Sequence, residues 1–296
     1  MRILVTGATG NVGRLVVDEL LALGATQVRA LTINPARAAL PPRVEVARGY
    51  LGKPETLPAA LEGVDRMYLA PLLETIREVT GMAAAAGVRR IVDLAGGEDT
   101  DWRPIEHAVE ASGVAWTHLE AGEFMLNAQL WAPQIRAGDV VRDGYPTSAN
   151  APIALEDIAR VAARVLLEDG HEGRTYVLTG PQTLTRAEKV REIGRALGRG
   201  LVYEELDHDA AVAELAQVMG EYAGWYVDGA AALVDHPQPV TGTVEEIIGR
   251  RGTTFAEWAA KNVELFPVTG VPIWRAQWAQ VEFSTGAASR ANWGMG

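Results

Sequence analysis

Three evenly spaced glycines lie near the amino terminus, in the run Thr6-Gly7-Ala8-Thr9-Gly10-Asn11-Val12-Gly13-Arg14. Glycine permits a tight turn, a close approach of backbone to ligand, and close packing of a helix on a strand. The first turn of a helix offers unpaired amides and a positive dipole end, which together bind pyrophosphate. We therefore predict a phosphate-binding turn whose contacts are Gly7, Thr9, Gly10, Asn11, Val12, Gly13 and Arg14.

The end of the second predicted strand should select between dinucleotides. NAD-binding turns usually place a carboxylate there, and NADP-binding turns place a basic group near the 2′-phosphate. Residues 31–37 contain no carboxylate, and Thr32 and Arg37 are the cofactor contacts predicted there. The sequence therefore favours NADPH, with NADH left open and with Arg14 as a second candidate for the phosphate. At the end of the fourth strand, Leu69, Ala70 and Pro71 are expected to line the nicotinamide.

These groups must be positioned by alternating strands and helices. Short β-branched runs predict strands at 3–6, 28–32, 44–47, 64–69, 90–94, 116–119 and 175–178. Apolar residues at helical spacing predict helices at 11–23, 54–61, 73–86, 103–112, 155–167, 186–197, 209–219 and 254–262. This alternation predicts an α/β fold, a Rossmann-type doubly wound parallel sheet with a smaller carboxy-terminal substrate lobe.

Three regions are expected along the chain. Residues 1–150 are predicted to form the NAD(P)-binding domain, and residues 151–265 a smaller substrate lobe interleaved with it. The tail, 266–296, contains Trp274 and Trp278, four positions apart and thus on one face of a helix. This tail is either an aromatic lid over a flat substrate or a packing or subunit contact.

Composition excludes several kinds of chemistry. The 296 residues include no cysteine, which rules out disulfides, thiolate metal sites and a cysteine nucleophile. No histidine spacing indicates a metal site. The net charge of −11 argues against nucleic acid as a partner. Because the chain also lacks a signal-peptide core and a long apolar run, we expect a cytoplasmic protein with no membrane contact. We expect this protein to be a monomer or a homodimer.

The glycine turn and three later stretches resemble the NmrA-like branch of the atypical short-chain dehydrogenase/reductase family. The later stretches run from Gly113 to Thr117 together with Gly122 to Asn127, from Ile153 to Ala159 and from Gly173 to Gly180. Relatives in that branch include NAD(P)H-dependent quinone and ketone reductases, antibiotic-tailoring enzymes of aromatic polyketides, and redox sensors without turnover. The sequence departs from the family at Ile33, where arginine is common, and at Glu123, where an aromatic residue is common.

The tyrosine and lysine that the wider family uses for proton transfer, four positions apart, are missing. The three lysines, at 53, 189 and 261, are preceded four positions earlier by Gly49, Thr185 and Glu257. The resemblance instead implies that Arg103 and His107 occupy the two places. Arginine can stabilise a developing oxyanion, and histidine can relay a proton. Each could equally be an ordinary helix residue, and His118 is predicted to be a hydrogen-bonded core histidine.

The predicted function is NADPH-dependent hydride transfer to a ketone or quinone of an aromatic substrate, polyketides included. Without the tyrosine–lysine pair, the substrate itself would help to stabilise the developing charge. The predicted substrate contacts are Phe124, Trp274 and Trp278. The alternative is a regulatory protein that senses NAD(P)H without catalysing a reaction, since missing acid–base residues are also consistent with that role.

Overall fold

A computed structural model describes residues 1–96 and 103–266. The chain forms two compact units, and each is built from three separate segments. The first unit contains residues 1–121, 155–178 and 243–251. The second contains residues 122–154, 179–242 and, among those described, 252–266.

Strands alternate with helices along most of the described chain. The strands are β1 (Ile3–Val5), β2 (Val28–Thr32), β3 (Glu45–Arg48), β4 (Arg66–Leu69), β5 (Arg90–Ala95), β6 (Ala115–Ala121), β7 (Val140–Gly144), β8 (Ala149–Asn150), β9 (Arg174–Leu178), β10 (Leu184–Thr185) and β11 (Val202–Leu206). The α-helices are α1 (Asn11–Ala22), α2 (Pro58–Leu61), α3 (Ile76–Ala85), α4 (Arg103–Ala111), α5 (Ala132–Ala137), α6 (Leu155–Leu167), α7 (Arg186–Leu197), α8 (His208–Met219), α9 (Ala223–Asp235), α10 (Thr243–Ile248) and α11 (Phe255–Lys261).

The first unit is organised by a parallel sheet of seven strands among the described residues, in the order β3-β2-β1-β4-β5-β6-β9. Strand β1 lies inside the sheet between β2 and β4, with Ile3 opposite both Val28 and Arg66. Every residue of β1 and β2 is buried, as expected of a parallel sheet covered on both faces. The predicted doubly wound fold is confirmed, and the carboxyl ends of its strands meet at one edge.

The second unit has its own apolar core and two small sheets among the described residues. Strand β11 pairs in parallel with β7, and β10 pairs antiparallel with β8. Helix α7 begins with a capping box formed by Thr185 and Glu188, and it ends at Gly198, whose φ of +64° favours glycine. Its buried face packs into a cluster that includes Met125, Trp131, Ile135, Val190, Ile193, Phe255 and Trp258.

The observed units divide at other residues than the predicted domains. The chain leaves the first unit after Ala121 instead of residue 150, and it later returns to that unit through α6 and β9. The reason is that β9 completes the sheet beside β6 while α6 packs on α1. Both returning elements are predicted by the sequence, although hydrophobic patterning does not reveal their sheet neighbours.

Candidate active site

The glycine turn has the backbone that the motif predicts. Gly7 adopts a φ of +58°, and the Gly10 amide donates a hydrogen bond to the Gly7 carbonyl oxygen at 2.9 Å. A Cβ on Gly13 would lie 2.2 Å from the Gly7 carbonyl oxygen, so only glycine lets α1 pack this close to the turn. A Cβ on Gly10 would lie 3.2 Å from the same oxygen, which also favours glycine there.

The amino end of α1 is suited to an anion. The N-cap residue, Gly10, provides no side-chain cap, and no acidic residue lies in the first turn. No side chain at the N-cap therefore accepts a hydrogen bond from the first-turn amides, so these donors can bind an anion. The positive end of the helix dipole faces the same region. Thr9 and Asn11 are exposed beside this turn. The turn thus fits the pyrophosphate of a dinucleotide, and the residues predicted from the motif would hold it.

The ends of β1 and β4 are joined next to the turn. The buried Thr6 hydroxyl donates to the Tyr68 carbonyl oxygen at 3.1 Å and accepts from the Ala70 amide at 2.8 Å. Leu69 is buried, whereas Ala70 and Pro71 are partly exposed immediately after the strand. These three residues occupy the carboxyl end of a central strand, where open α/β sheets bind their ligands.

The two arginines considered for a ribose phosphate have different surroundings. Arg14 donates from Nε to Asp18 at 3.2 Å and from Nη1 to the Ala39 carbonyl oxygen at 2.9 Å. Arg37 is exposed at the end of a short 3-10 helix, and its side chain makes no ion pair with any residue in 1–96 or 103–266. Thr32 is buried at the end of β2. Arg37 is therefore the more available of the two cations.

Helix α4 carries Arg103 and His107, which the family resemblance puts in the tyrosine and lysine places. Arg103 is its first residue, and the guanidinium Nη1 lies 2.7 Å from Glu106 and 3.4 Å from Glu110. His107 is exposed. The structure thus anchors Arg103 on two carboxylates and leaves His107 accessible to solvent, and their catalytic roles stay a prediction.

His118 belongs to a buried polar group in the first unit. Its Nδ1 lies 2.7 Å from an Asp93 carboxylate oxygen, and its Nε2 lies 3.5 Å from Glu110 Oε1. Burial lowers the pKa of His118, but Asp93 and the acids of α4 outweigh burial, and the net shift is upward. The ring also stacks on Trp116, with 4.2 Å between centroids. The prediction of a core histidine bonded through its ring is confirmed.

A small cavity, partly open to solvent, lies within the second unit. Aromatic side chains form much of its wall, together with three charged residues; the lining includes Phe124, Trp131, Tyr226, Phe255, Glu123, Arg186 and Lys189. Phe124, predicted to contact substrate, is one of these lining residues. Trp274 and Trp278, the other two predicted contacts, lie outside the described residues.

The charged residues of this cavity form a connected network. Glu123 Oε2 accepts from Lys189 Nζ at 2.7 Å and from Asn150 Nδ2 at 2.7 Å, while its Oε1 accepts from the Tyr226 hydroxyl. Burial raises the pKa of Glu123, but the Lys189 ammonium outweighs burial, and the pKa falls to about 2. Burial also lowers the pKa of Lys189, against the opposing effect of Glu123. Glu123 is therefore ionised at neutral pH.

Three residues of this network, Lys189, Arg186 and Tyr226, were not predicted as site residues from the sequence. A usable signal was present in α7, where Arg186 and Lys189 share a buried face with Val190 and Ile193. Cations on the apolar face of an amphipathic helix need buried partners, which indicates an internal ion-pair network. Glu123 departs from the family pattern in the sequence, but its hydrogen-bond partners come from distant parts of the chain and cannot be identified from that departure.

Two other kinds of feature are absent from the described part of the chain. In residues 1–96 and 103–266, no helix has both the length and the apolar character needed to cross a bilayer. The same residues contain no group of three histidine or acidic side chains that could hold a metal ion.

Comparisons with known proteins agree with the geometry of the turn. A family model described as NAD(P)H-binding matches residues 7–169. The chain is 38% identical over 280 residues to a (4-alkanoyl-5-oxo-2,5-dihydrofuran-3-yl)methyl phosphate reductase of Streptomyces griseus, covering 89% of this chain and 99% of the relative. It is 33% identical over 289 residues to an NAD(P)H azoreductase of Xenophilus azovorans, and that alignment covers 89% of this chain and 99% of the azoreductase.

A solved structure gives the same result at the level of the fold. The NADPH-dependent quinone oxidoreductase of Escherichia coli, in complex with NADPH, aligns with a TM-score of 0.78 and 26% identity. The alignment covers 88% of this chain and 99% of that one. The named relatives are reductases, so the predicted enzyme class and nicotinamide cofactor are confirmed. The chain therefore belongs to the NAD(P)H-binding, NmrA-like branch of the atypical short-chain dehydrogenase/reductase family, and it is an NAD(P)H-dependent oxidoreductase.

Proposed function

We propose that this oxidoreductase uses NADPH to reduce a ketone or quinone group of an aromatic substrate, polyketides included. The observation that carries the proposal is the cavity of the second unit, whose wall includes Phe124, Trp131, Tyr226 and Phe255. Aromatic walls favour flat aromatic ligands because the rings bury large areas and stack in offset or edge-on geometry. Polar groups in the same wall can bond the oxygens of such a ligand.

The first unit supplies the cofactor contacts in this proposal. The glycine turn would hold the pyrophosphate, Arg37 would contact the 2′-phosphate, and the residues after β4 would line the nicotinamide. When bound, NADPH supplies a hydride to the acceptor. Exclusion of water and orientation of the acceptor are then the tasks of the chain.

Charge that develops on the acceptor oxygen must be stabilised. Arg103 stays protonated and is held by Glu106 and Glu110, which suits it to electrostatic stabilisation and not to proton transfer. The exposed His107 can exchange a proton with solvent. A phenol of the substrate that is hydrogen-bonded to the ketone would share its proton, so the reduction would be partly substrate-assisted.

The proposal is tested by following NADPH oxidation at 340 nm with quinones, hydroxylated aromatic ketones and enones. The panel includes a phosphorylated alkanoyl-furanone, because the Streptomyces griseus relative is named for such a compound. We expect turnover with quinones or aromatic ketones, and faster turnover when a hydroxyl lies beside the ketone. Turnover of the furanone phosphate alone would refute the aromatic substrate class.

A further inference from the structure

Arg37 is carried on a segment between β2 and β3 whose backbone decides where its side chain lies. It is the last residue of the short 3-10 helix Pro35–Arg37, and it is exposed. Because no ion pair within residues 1–96 and 103–266 fixes Arg37, the position of this cation depends on how firmly the segment itself is held.

Local hydrogen bonds give the segment its shape. At its start, the Asn34 amide donates to the Thr32 hydroxyl at 3.3 Å. The Arg37 amide donates to the Asn34 carbonyl oxygen at 3.1 Å. The Ala38 amide donates to the Pro35 carbonyl oxygen at 3.3 Å, and Ala38 is buried. These bonds fix the turn that carries Arg37, and the buried Ala38 seats one end of it in the first unit.

Ala39, which follows, has a backbone conformation that needs support. Its φ of +47° lies in the left-handed region that favours glycine. A residue with a Cβ adopts this region at an energetic cost, and it stays there only where its surroundings hold it. The Ala39 side chain is exposed, whereas its carbonyl oxygen accepts a hydrogen bond from Arg14 Nη1 at 2.9 Å. The Arg14 bond therefore supports a strained residue two positions after Arg37.

Arg14 itself belongs to the helix whose amino end fits a pyrophosphate. It is the fourth residue of α1, and its Nε donates to Asp18, one turn later, at 3.2 Å. With Nε on Asp18 and Nη1 on Ala39, the guanidinium is held from two sides. One side chain thus joins the phosphate turn to the segment that carries Arg37, and all of these residues lie in the first unit.

We propose that Arg14 is a positioning residue for the cofactor: through the Ala39 carbonyl, it holds Arg37 where the 2′-phosphate of NADPH is bound. This inference rests on the proposed function, which gives Arg37 that contact. The preference for NADPH over NADH then depends on Arg14 only by way of Arg37. A direct contact of Arg14 with the 2′-phosphate makes a different prediction, because a guanidinium has five N–H groups and these two bonds use only two of them.

The first test is a double-mutant cycle on the binding of NADP⁺ and NAD⁺, which differ only in the 2′-phosphate. Isothermal titration calorimetry gives both Kd values for wild type, R14Q, R37A and R14Q/R37A, without turnover. R37A should raise the Kd for NADP⁺ about tenfold or more. R14Q should raise it about three- to tenfold, because the segment then holds Arg37 in its binding position for only part of the time. The Kd for NAD⁺ should stay within about twofold of wild type throughout, since NAD⁺ lacks the phosphate.

The double variant separates positioning from direct contact. In R14Q/R37A, the Kd for NADP⁺ should equal that of R37A within about twofold, since Arg14 acts only through a side chain that has been removed. If the two single effects multiply, or if R14Q binds NADP⁺ as wild type does, the inference fails while the Arg37 contact stands. If R37A leaves the Kd for NADP⁺ unchanged, the proposed Arg37 contact fails instead.

Arg164, on α6 of the same unit, offers a matched control. It also pairs with an acid four positions later, Glu168, at 2.8 Å, and its side chain is 40% exposed against 38% for Arg14. Within the described residues, Arg164 makes no hydrogen bond to the segment 33–39. R164Q should therefore keep the wild-type Kd for both nucleotides, and a rise in the NADP⁺ value as large as that of R14Q would contradict the proposal.

A second measurement needs no cofactor. Trypsin cuts after Arg37 once the segment opens, and where opening is fast relative to cleavage the rate follows the open population. Mass spectrometry should show cleavage of the bond between Arg37 and Ala38 about threefold or more faster in R14Q than in wild type or R164Q. An equal rate in R14Q and R164Q would show that Arg14 does not hold the segment, and it would overturn the proposal.

Discussion

Replacing Gly13 by alanine should damage both the fold and the cofactor site. The added Cβ would lie 2.2 Å from the Gly7 carbonyl oxygen and 2.7 Å from its carbon, whereas real contacts of this kind stay beyond 3.0 Å. Helix α1 or the turn must therefore move by at least about 0.8 Å. Forced overpacking of this kind costs about 1–3 kcal/mol of stability.

The same displacement would misplace the first-turn amides of α1. A shift of this size lengthens an ordinary hydrogen bond beyond its useful range, and a bond to a charged group contributes about 1.5–3 kcal/mol. We therefore expect the Kd for NADPH to rise about 10- to 100-fold, measured by isothermal titration calorimetry.

Gly81 provides a matched control for this substitution. It lies in the interior of α3, is exposed, and a Cβ there would contact nothing within 4 Å. G81A should stabilise the protein by about 0.5–1 kcal/mol, since alanine is the better helix former. Urea denaturation compares the two variants. If G13A matches G81A in stability and binds NADPH as wild type does, the account of the turn is wrong.

Three further perturbations test other contacts. R37A should weaken NADPH binding by about tenfold or more and leave NADH binding unchanged, as measured by fluorescence titration. Because Arg14 is already bonded to Asp18 and Ala39, R14Q should change the preference for NADPH over NADH less than R37A does. In wild type, the raised pKa of His118 stabilises the folded state below pH 6.5, and this stability is lost as pH rises through the folded pKa. In H118N, the free energy of unfolding should therefore change less with pH across the same range. E123Q and K189M should each lower the free energy of unfolding by about 3–5 kcal/mol, because each leaves a buried charge without its partner. The double variant E123Q/K189M should lose less than the sum of the two single losses. Additive losses would show that the two side chains do not form a coupled buried pair.

The sheet and the turn were predictable because their signals are local. Strand β1 is a continuous buried run, and Gly7, Gly10 and Gly13 follow it at a spacing that few other motifs require. Helices α6 and α7 have strong apolar periodicity, and the predicted bounds 155–167 and 186–197 match the observed ones. Local patterning was thus enough to place the cofactor turn.

The second unit was less predictable because its site is assembled from distant segments. Helix α9 was missed, since its two glycines and evenly distributed apolar residues give it little periodicity. That helix carries Tyr226, whose partner Glu123 comes from the segment after β6. No spacing rule links such residues, so only a three-dimensional arrangement reveals that they share a carboxylate with Lys189.

The return of the chain to its first unit has a consequence for biosynthesis. A nascent chain that ends at Ala121 contains six of the seven strands of the described sheet, but it lacks α6 and β9. Helix α1 would then expose the surface that α6 covers, and β6 would have an open edge where β9 pairs. The sheet is completed only after 57 further residues, most of which start the second unit, have been synthesised. The emerging polypeptide is therefore expected to be most prone to aggregation in this interval, and a ribosome-associated chaperone would have its greatest effect there.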